Sequence, residues 1–152
     1  MSPKGDPIVI LLIEDDEDDY MLTKEALKES RLKNDMVWVR DGQEAMDYLL
    51  REGDYQDSSN WPMPELVLLD LNLPKKDGRE VLAEIKTNPV IRHIPVVVLT
   101  TSKAEEDIIK SYDLGGNSFI QKPVSFDKFV ETMKAIGRYW FEVVALPKEK
   151  QM

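Results

Sequence analysis

The chain has 152 residues and is 42% hydrophobic, enough for one well-packed core and too short for two domains of ordinary size. Its formal charge of −9 argues against direct nucleic-acid binding, which needs a basic face for the phosphates, so basic or mixed-charge protein surfaces are the expected partners. Cysteine is absent, which removes disulfides, thiolate nucleophiles and cysteine-based zinc sites, so any metal should be hard and oxygen-bound.

No stretch approaches the roughly 20 apolar residues that cross a bilayer. Residues 1–6 have neither the apolar core nor the cleavage pattern of a signal peptide, so they read as a short tail. A cytoplasmic location without membrane insertion is expected. The first element is the unbroken apolar run Ile8 to Ile13, a strand buried on both faces that ends directly in Glu14-Asp15-Asp16. Tyr20, Leu22 or Thr23, Ala26 and Leu27 then recur at helical spacing, predicting a helix over about 18–30 with acids in its first turn. Residues 36–39 form a short second strand, Asp41-Gly42 signals a turn, and Ala45, Met46, Leu49 and Leu50 mark a second amphipathic helix.

Residues 53–64, rich in Gly, Asp, Ser, Asn and Pro, have a composition that predicts a long surface loop with no regular element. Leu66 to Leu69 is the next buried strand, and Asp70 stands where it stops, followed by Pro74 and Asp77-Gly78. A helix over 78–87 ends at Asn88-Pro89, and a fourth strand spans 95–100. Ser102 with Glu105 has the form of a capping box opening a helix that Gly115-Gly116 closes. A short strand at 118–121 ends at Lys122-Pro123, and Phe126, Phe129, Val130, Met133, Ile136 and Trp140 keep helical spacing in a last helix.

Five mostly apolar strands alternating with five helices describe an α/β fold, a parallel sheet with helices on both faces. Right-handed crossovers bring the strand ends to one edge, which gathers Glu14, Asp15, Asp70, Thr100 and Lys122. Three carboxylates in one crevice either retain a proton or bind a divalent cation, and oxygen-only ligands favour Mg²⁺ or Mn²⁺. Lys122 and the Thr100 hydroxyl are then placed to hold phosphoryl oxygens, leaving Asp70 as a nucleophile. Each residue alone has a plainer reading: Asp70 as a strand-end acid accepting turn N–H groups, Thr100 as a β-branched strand end, Lys122 as a surface lysine. Asp16, Asp18 and Asp19 read as a solvated helix start, His93 as structural, and Trp38 and Trp61 as packing residues.

Ile10-Leu11-Leu12-Ile13-Glu14-Asp15-Asp16, Leu69-Asp70-Leu71-Asn72-Leu73-Pro74 with Gly78, Leu99-Thr100-Thr101 and Gln121-Lys122-Pro123 resemble the receiver domains of two-component response regulators over about 7–138. The resemblance implies a flavodoxin-like, doubly wound sheet of order 2-1-3-4-5 and phosphoryl transfer from a histidine kinase. It further implies Asp70 as phospho-acceptor, Asp15 as a direct Mg²⁺ ligand, Glu14 acting through water, and the Asn72 backbone carbonyl as another ligand. Thr100 and Lys122 would contact the phosphoryl group, and Phe119 would occupy the aromatic switch position without the hydroxyl of the tyrosine common there. Leu99-Thr100-Thr101-Ser102, the stretch 111–118, the long loop before Asp70 and the tail 139–147 are similar to small single-domain regulators that partner phytochrome histidine kinases.

In the extension 139–152, Trp140, Phe141, Val143, Val144 and Leu146 exceed what one core-facing stripe buries, which predicts a homodimer through the last helix and tail. Two other functions compete with a phosphorylation-controlled binding module that catalyses only its own phosphoryl transfer and dephosphorylation. A phosphorelay intermediate has the same residue pattern. A Mg²⁺-dependent phosphohydrolase of the haloacid-dehalogenase type resembles it too, but needs a second acid two residues after the nucleophile, where this chain has Asn72.

Overall fold

The computed structural model describes residues 8–30, 34–57, 59–100, 118–121 and 126–139. In chain order these form β1 (Ile8–Ile13), α1 (Glu17–Ser30), β2 (Asn34–Val39), α2 (Gly42–Leu49), β3 (Leu66–Asp70), α3 (Gly78–Thr87), β4 (Val96–Thr100), β5 (Ser118–Gln121) and α4 (Phe126–Tyr139). The strands pair in parallel in the order β2-β1-β3-β4-β5. The helix expected after Ser102 and its Gly115-Gly116 stop lie outside the described residues, as do the N-terminal tail and the extension from 140 onward.

The apolar runs are continuous because both faces of the sheet are covered. Along each strand alternate residues go to opposite sides. Leu11, Ile13, Val67, Leu69, Val96 and Val98 pack with Ala45, Met46 and Leu49 of α2 and Val81, Leu82 and Ile85 of α3. Ile10, Leu12, Leu66, Leu68, Val97 and Leu99 face the other way, against Ala26 and Leu27 of α1 and Phe129, Val130 and Met133 of α4. All five residues of β3 are buried, so its position in the middle of the sheet follows from having no polar side to turn to water. Full burial of each such aliphatic side chain contributes roughly 1.5–3 kcal/mol.

Two local boundaries depart from the sequence expectation. β2 begins at Asn34, because a strand paired by its backbone to β1, with Asn34 opposite Ile8, admits polar side chains at its open end. Asp41-Gly42 is a helix start: the Asp41 carboxylate accepts the Glu44 N–H at 2.8 Å and Gly42 is the first residue of α2. A Cβ on Gly42 would stand 2.0 Å from the Lys76 carbonyl oxygen, so the glycine lets α2 press against the turn that follows β3.

The stretch 53–64 corrects the expectation of a loop without regular structure. Gly53–Tyr55 forms a 3-10 turn, and Tyr55 and Trp61 pack beside the buried Tyr48 with ring centroids 5.0–6.1 Å apart. The Tyr48 hydroxyl donates to the Pro62 carbonyl at 2.5 Å, and the Arg51 guanidinium donates to that of Trp61. Three amphipathic rings thus supply the apolar area that the loop's composition lacks.

Candidate functional site

The strand order reverses between β1 and β3: β2 lies outside β1 on one side, while β4 and β5 extend from β3 on the other. At such a switch point the loops leave the sheet in opposite directions and open a crevice at the carboxyl ends of the strands. Glu14 and Asp15 follow β1 and Asp70 ends β3, and one carboxylate oxygen from each lies within 4.8 Å of the others. Glu14 is 0% exposed and Asp70 3%, whereas Asp15 is open to solvent.

Each acid is oriented by its surroundings. The Asn72 N–H donates to Asp70 Oδ1 at 3.0 Å, and the Asp16 N–H to Glu14 Oε2 at 3.3 Å. Beyond Asp70 the sheet continues one step, with Leu71 N–H on the Leu99 carbonyl at 3.1 Å. The Leu71 carbonyl then accepts the Gly78 N–H at 3.1 Å, folding the loop 71–77 back on the strand end. A Cβ at position 78 would lie 2.5 Å from both the Asp70 carbonyl oxygen and Leu71 Cα, which explains the glycine. The next helix is capped by Asp77, whose Oδ1 accepts the Arg79 N–H at 2.8 Å. Its carboxyl is held below the usual carboxylate range chiefly by the Arg79 side chain.

The β1 side is held from β2. Glu14 N–H donates to the Val39 carbonyl at 3.0 Å, and the Glu14 carbonyl accepts the Trp38 indole N–H at 2.6 Å. The Asp15 carbonyl accepts from the Arg40 guanidinium at 3.2 Å. Sequence reasoning treated Trp38 as packing only and did not single out Arg40. Nothing near them in the chain signals these bonds, because their acceptors are 24 and 25 positions away.

Two unit charges 4.8 Å apart repel by roughly 3 kcal/mol at an effective dielectric constant of about 20, so a cluster of three acids, two of them buried, invites a cation. The donors are all carboxylate oxygens, which suit a hard divalent ion such as Mg²⁺ or Mn²⁺. Of the sequence-predicted residues, the structure brings Glu14, Asp15 and Asp70 together and sets Asn72 beside Asp70. Thr100 is the last residue of β4, opposite Gln121, and His93 is exposed and apart from the acids. Lys122, the side chains of Thr100 and Phe119, and Trp140, Phe141, Val143, Val144 and Leu146 lie outside the described residues.

A doubly wound parallel sheet with an acid triad at its switch point suits a signalling domain that accepts a phosphoryl group, and the chain belongs to the response regulator receiver domain family, whose model matches residues 10–134. It is 49% identical over 141 residues to the response regulator Rcp1 of Synechocystis sp., covering 93% of this chain and 94% of that one. It is also similar to the crystal structure of the phosphorylated cyanobacterial phytochrome response regulator RcpA, with a TM-score of 0.76, 48% identity and coverage of 91% of this chain and 96% of that one. The Mn²⁺-bound form of Rcp1 matches with the same TM-score and identity, covering 91% and 97% of the two chains. The protein is therefore a response regulator homologous to those of phytochrome systems, a signalling protein that accepts a phosphoryl group from a kinase and whose family binds a divalent metal. No helix among the described residues is long and apolar enough to cross a membrane.

Proposed function

We propose that Asp70 is the phospho-acceptor of a phytochrome-type histidine kinase and that the phosphorylated chain signals through altered protein association. The observation that carries this is the convergence of the Glu14, Asp15 and Asp70 carboxylates within 4.8 Å, with Asp70 buried. The Asn72 N–H fixes one Asp70 oxygen and with it the plane of the nucleophile. A carboxylate oxygen of Asp70 attacks the phosphorus of the donor phosphohistidine. The P–N bond breaks, its electron pair stays on the imidazole nitrogen, and that ring takes up a proton.

Asp15, Glu14, Asp70 and the Asn72 backbone carbonyl are the residues that would hold Mg²⁺, with Mn²⁺ as a substitute. When bound, the ion offsets the charge on the phosphoryl oxygens. Thr100 and Lys122 contact the transferred group, and Phe119 serves as the switch residue. Asn72 offers no carboxyl for general acid–base hydrolysis, which favours a persisting signal over turnover of phosphate esters, with catalysis limited to the domain's own transfer and dephosphorylation. We assign 7–138 to the receiver domain and 139–152 to a homodimer contact through Trp140, Phe141, Val143, Val144 and Leu146, in a cytoplasmic protein.

Acetyl phosphate with Mg²⁺ should add one phosphoryl mass to the intact chain under conditions that preserve acyl phosphates. The gain should vanish with EDTA or with Asp70→Asn. An unchanged mass in the unsubstituted chain, or full labelling of Asp70→Asn, refutes the assignment.

A further inference from the structure

Three consecutive residues at the end of β2 grip two consecutive residues at the end of β1. The Val39 carbonyl takes the Glu14 N–H at 3.0 Å, the Trp38 indole donates to the Glu14 carbonyl at 2.6 Å, and the Arg40 guanidinium donates to the Asp15 carbonyl at 3.2 Å. In an extended strand, the carbonyls of successive residues point to opposite sides. With Glu14 N–H already directed at β2, an extended Asp15 would turn its carbonyl toward β3. Its capture by Arg40 therefore marks where the chain leaves the sheet, and it sets the direction from which both acids approach Asp70.

The gripping side chains are themselves fixed. The Trp38 ring stacks on Tyr20 of α1 with centroids 3.9 Å apart and planes within 5°, and the Arg40 guanidinium lies over the Trp38 ring at 4.7 Å. The Arg40 N–H donates to Glu44 Oε1 at 3.2 Å, and the other oxygen of Glu44 accepts the Tyr55 hydroxyl at 2.5 Å. The Trp38 and Arg40 bonds end on the Glu14 and Asp15 carbonyls, so their action on the site runs through the backbone that carries these two acids.

We propose that Trp38 and Arg40 are positioning residues for the divalent-cation site, anchoring the Glu14 and Asp15 carbonyls so that their carboxylates converge on Asp70 against their mutual repulsion. This rests on the metal-site reading given above. Groups that orient a ligand from behind characteristically change metal affinity about 10- to 100-fold when lost.

The full chain is compared with Trp38→Phe, which keeps an aromatic ring for Tyr20 but removes the N–H donor and part of the stacking area, and with Arg40→Met, which keeps the stem and removes the guanidinium. Mn²⁺ affinity is measured by calorimetric titration, and fold by far-ultraviolet circular dichroism and the metal-free thermal midpoint. Each variant should bind Mn²⁺ about tenfold more weakly with an unchanged spectrum. A lowered midpoint with affinity within twofold of the unsubstituted chain would mean a purely structural role and overturns the proposal. Should Arg40→Met fail to fold, Trp38→Phe decides it alone. Absence of Mn²⁺ binding by the unsubstituted chain overturns the metal-site reading and this inference together, whereas tight binding by all three chains overturns the inference only.

Discussion

The acids of the site reach it from two strand ends that are held by different means. At the end of β3 the holding groups are local. Asn72 N–H closes on Asp70, Gly78 N–H on the Leu71 carbonyl, and Arg79 N–H on Asp77, all between residues 70 and 79. At the end of β1 they come from Trp38, Val39 and Arg40, with Glu44 and Tyr55 behind them. A strand that runs into a tight loop can fix its own acid. β1 has only residues 14–16 before α1 begins, too few to fold back, and so, beyond the one local Asp16 N–H on Glu14 Oε2, the backbone that carries its acids is held by groups of the neighbouring strand.

The sharpest way to break the local device is Gly78→Ala. Its Cβ would meet two backbone atoms at 2.5 Å, neither of which yields as a side chain does, so the strand end must shift. We expect a loss of about 3 kcal/mol in urea denaturation, together with weakened Mn²⁺ binding. A loss under about 1 kcal/mol would show that the β3 end is less tightly closed than this contact implies.

A smaller change on the same side is Asp77→Ala, which removes the cap of α3 and should cost about 1 kcal/mol at neutral pH. Because Arg79 lowers the folded-state pKa of Asp77, the benefit is present above the ordinary carboxylate pKa of about 4 and fades as pH falls through the lower folded value. The two proteins should therefore converge in stability in strong acid. Equal spacing of their denaturation midpoints at pH 7 and pH 2 would contradict that linkage.

The smallest effect is expected for Tyr55→Phe, which touches the β1 side three hydrogen bonds away from Asp15. At neutral pH it should cost about 0.5–1 kcal/mol. Burial first, and then the hydrogen bond to Glu44, raise the Tyr55 pKa, so the unfolded phenol ionises first and wild-type stability declines as pH rises above about 10. Tyr55→Phe should lose part of that decline, measured as the alkaline limb of stability against pH. Superimposable limbs would remove Tyr55 from the support of this strand end.

How much was legible differs along the same line. Asp70, Glu14 and Asp15 could be picked out because each follows an unbroken apolar run, and a buried strand ending in an acid is visible in one dimension. Gly78 was visible as loop punctuation, though its close approach to Asp70 was not. The stretch 53–64 was misjudged because composition counts its polar residues equally. Tyr55 and Trp61 order it by packing on Tyr48, which lies in a different element. Asp41-Gly42 reads as a turn because the same two residue types serve turns and helix starts, and what distinguishes them is the Asp41 carboxylate closing on the Glu44 N–H, while the close approach of Lys76 that requires the glycine is tertiary.

The sequence by itself determined that β1 and β3 are buried, that they end in carboxylates, and that an acid, an amide and a glycine follow Asp70 at the spacing its loop needs. These are consequences of side-chain polarity and chain stiffness, which act between near neighbours. The receiver resemblance implies β2 beside β1, as the sheet has it, but only the tertiary structure decided that this neighbour delivers an indole and a guanidinium to two carbonyls. That choice depends on which apolar faces fit together across the whole sheet, a property no local stretch contains. The backbone course of Glu14 and Asp15, unlike that of Asp70, is set by it.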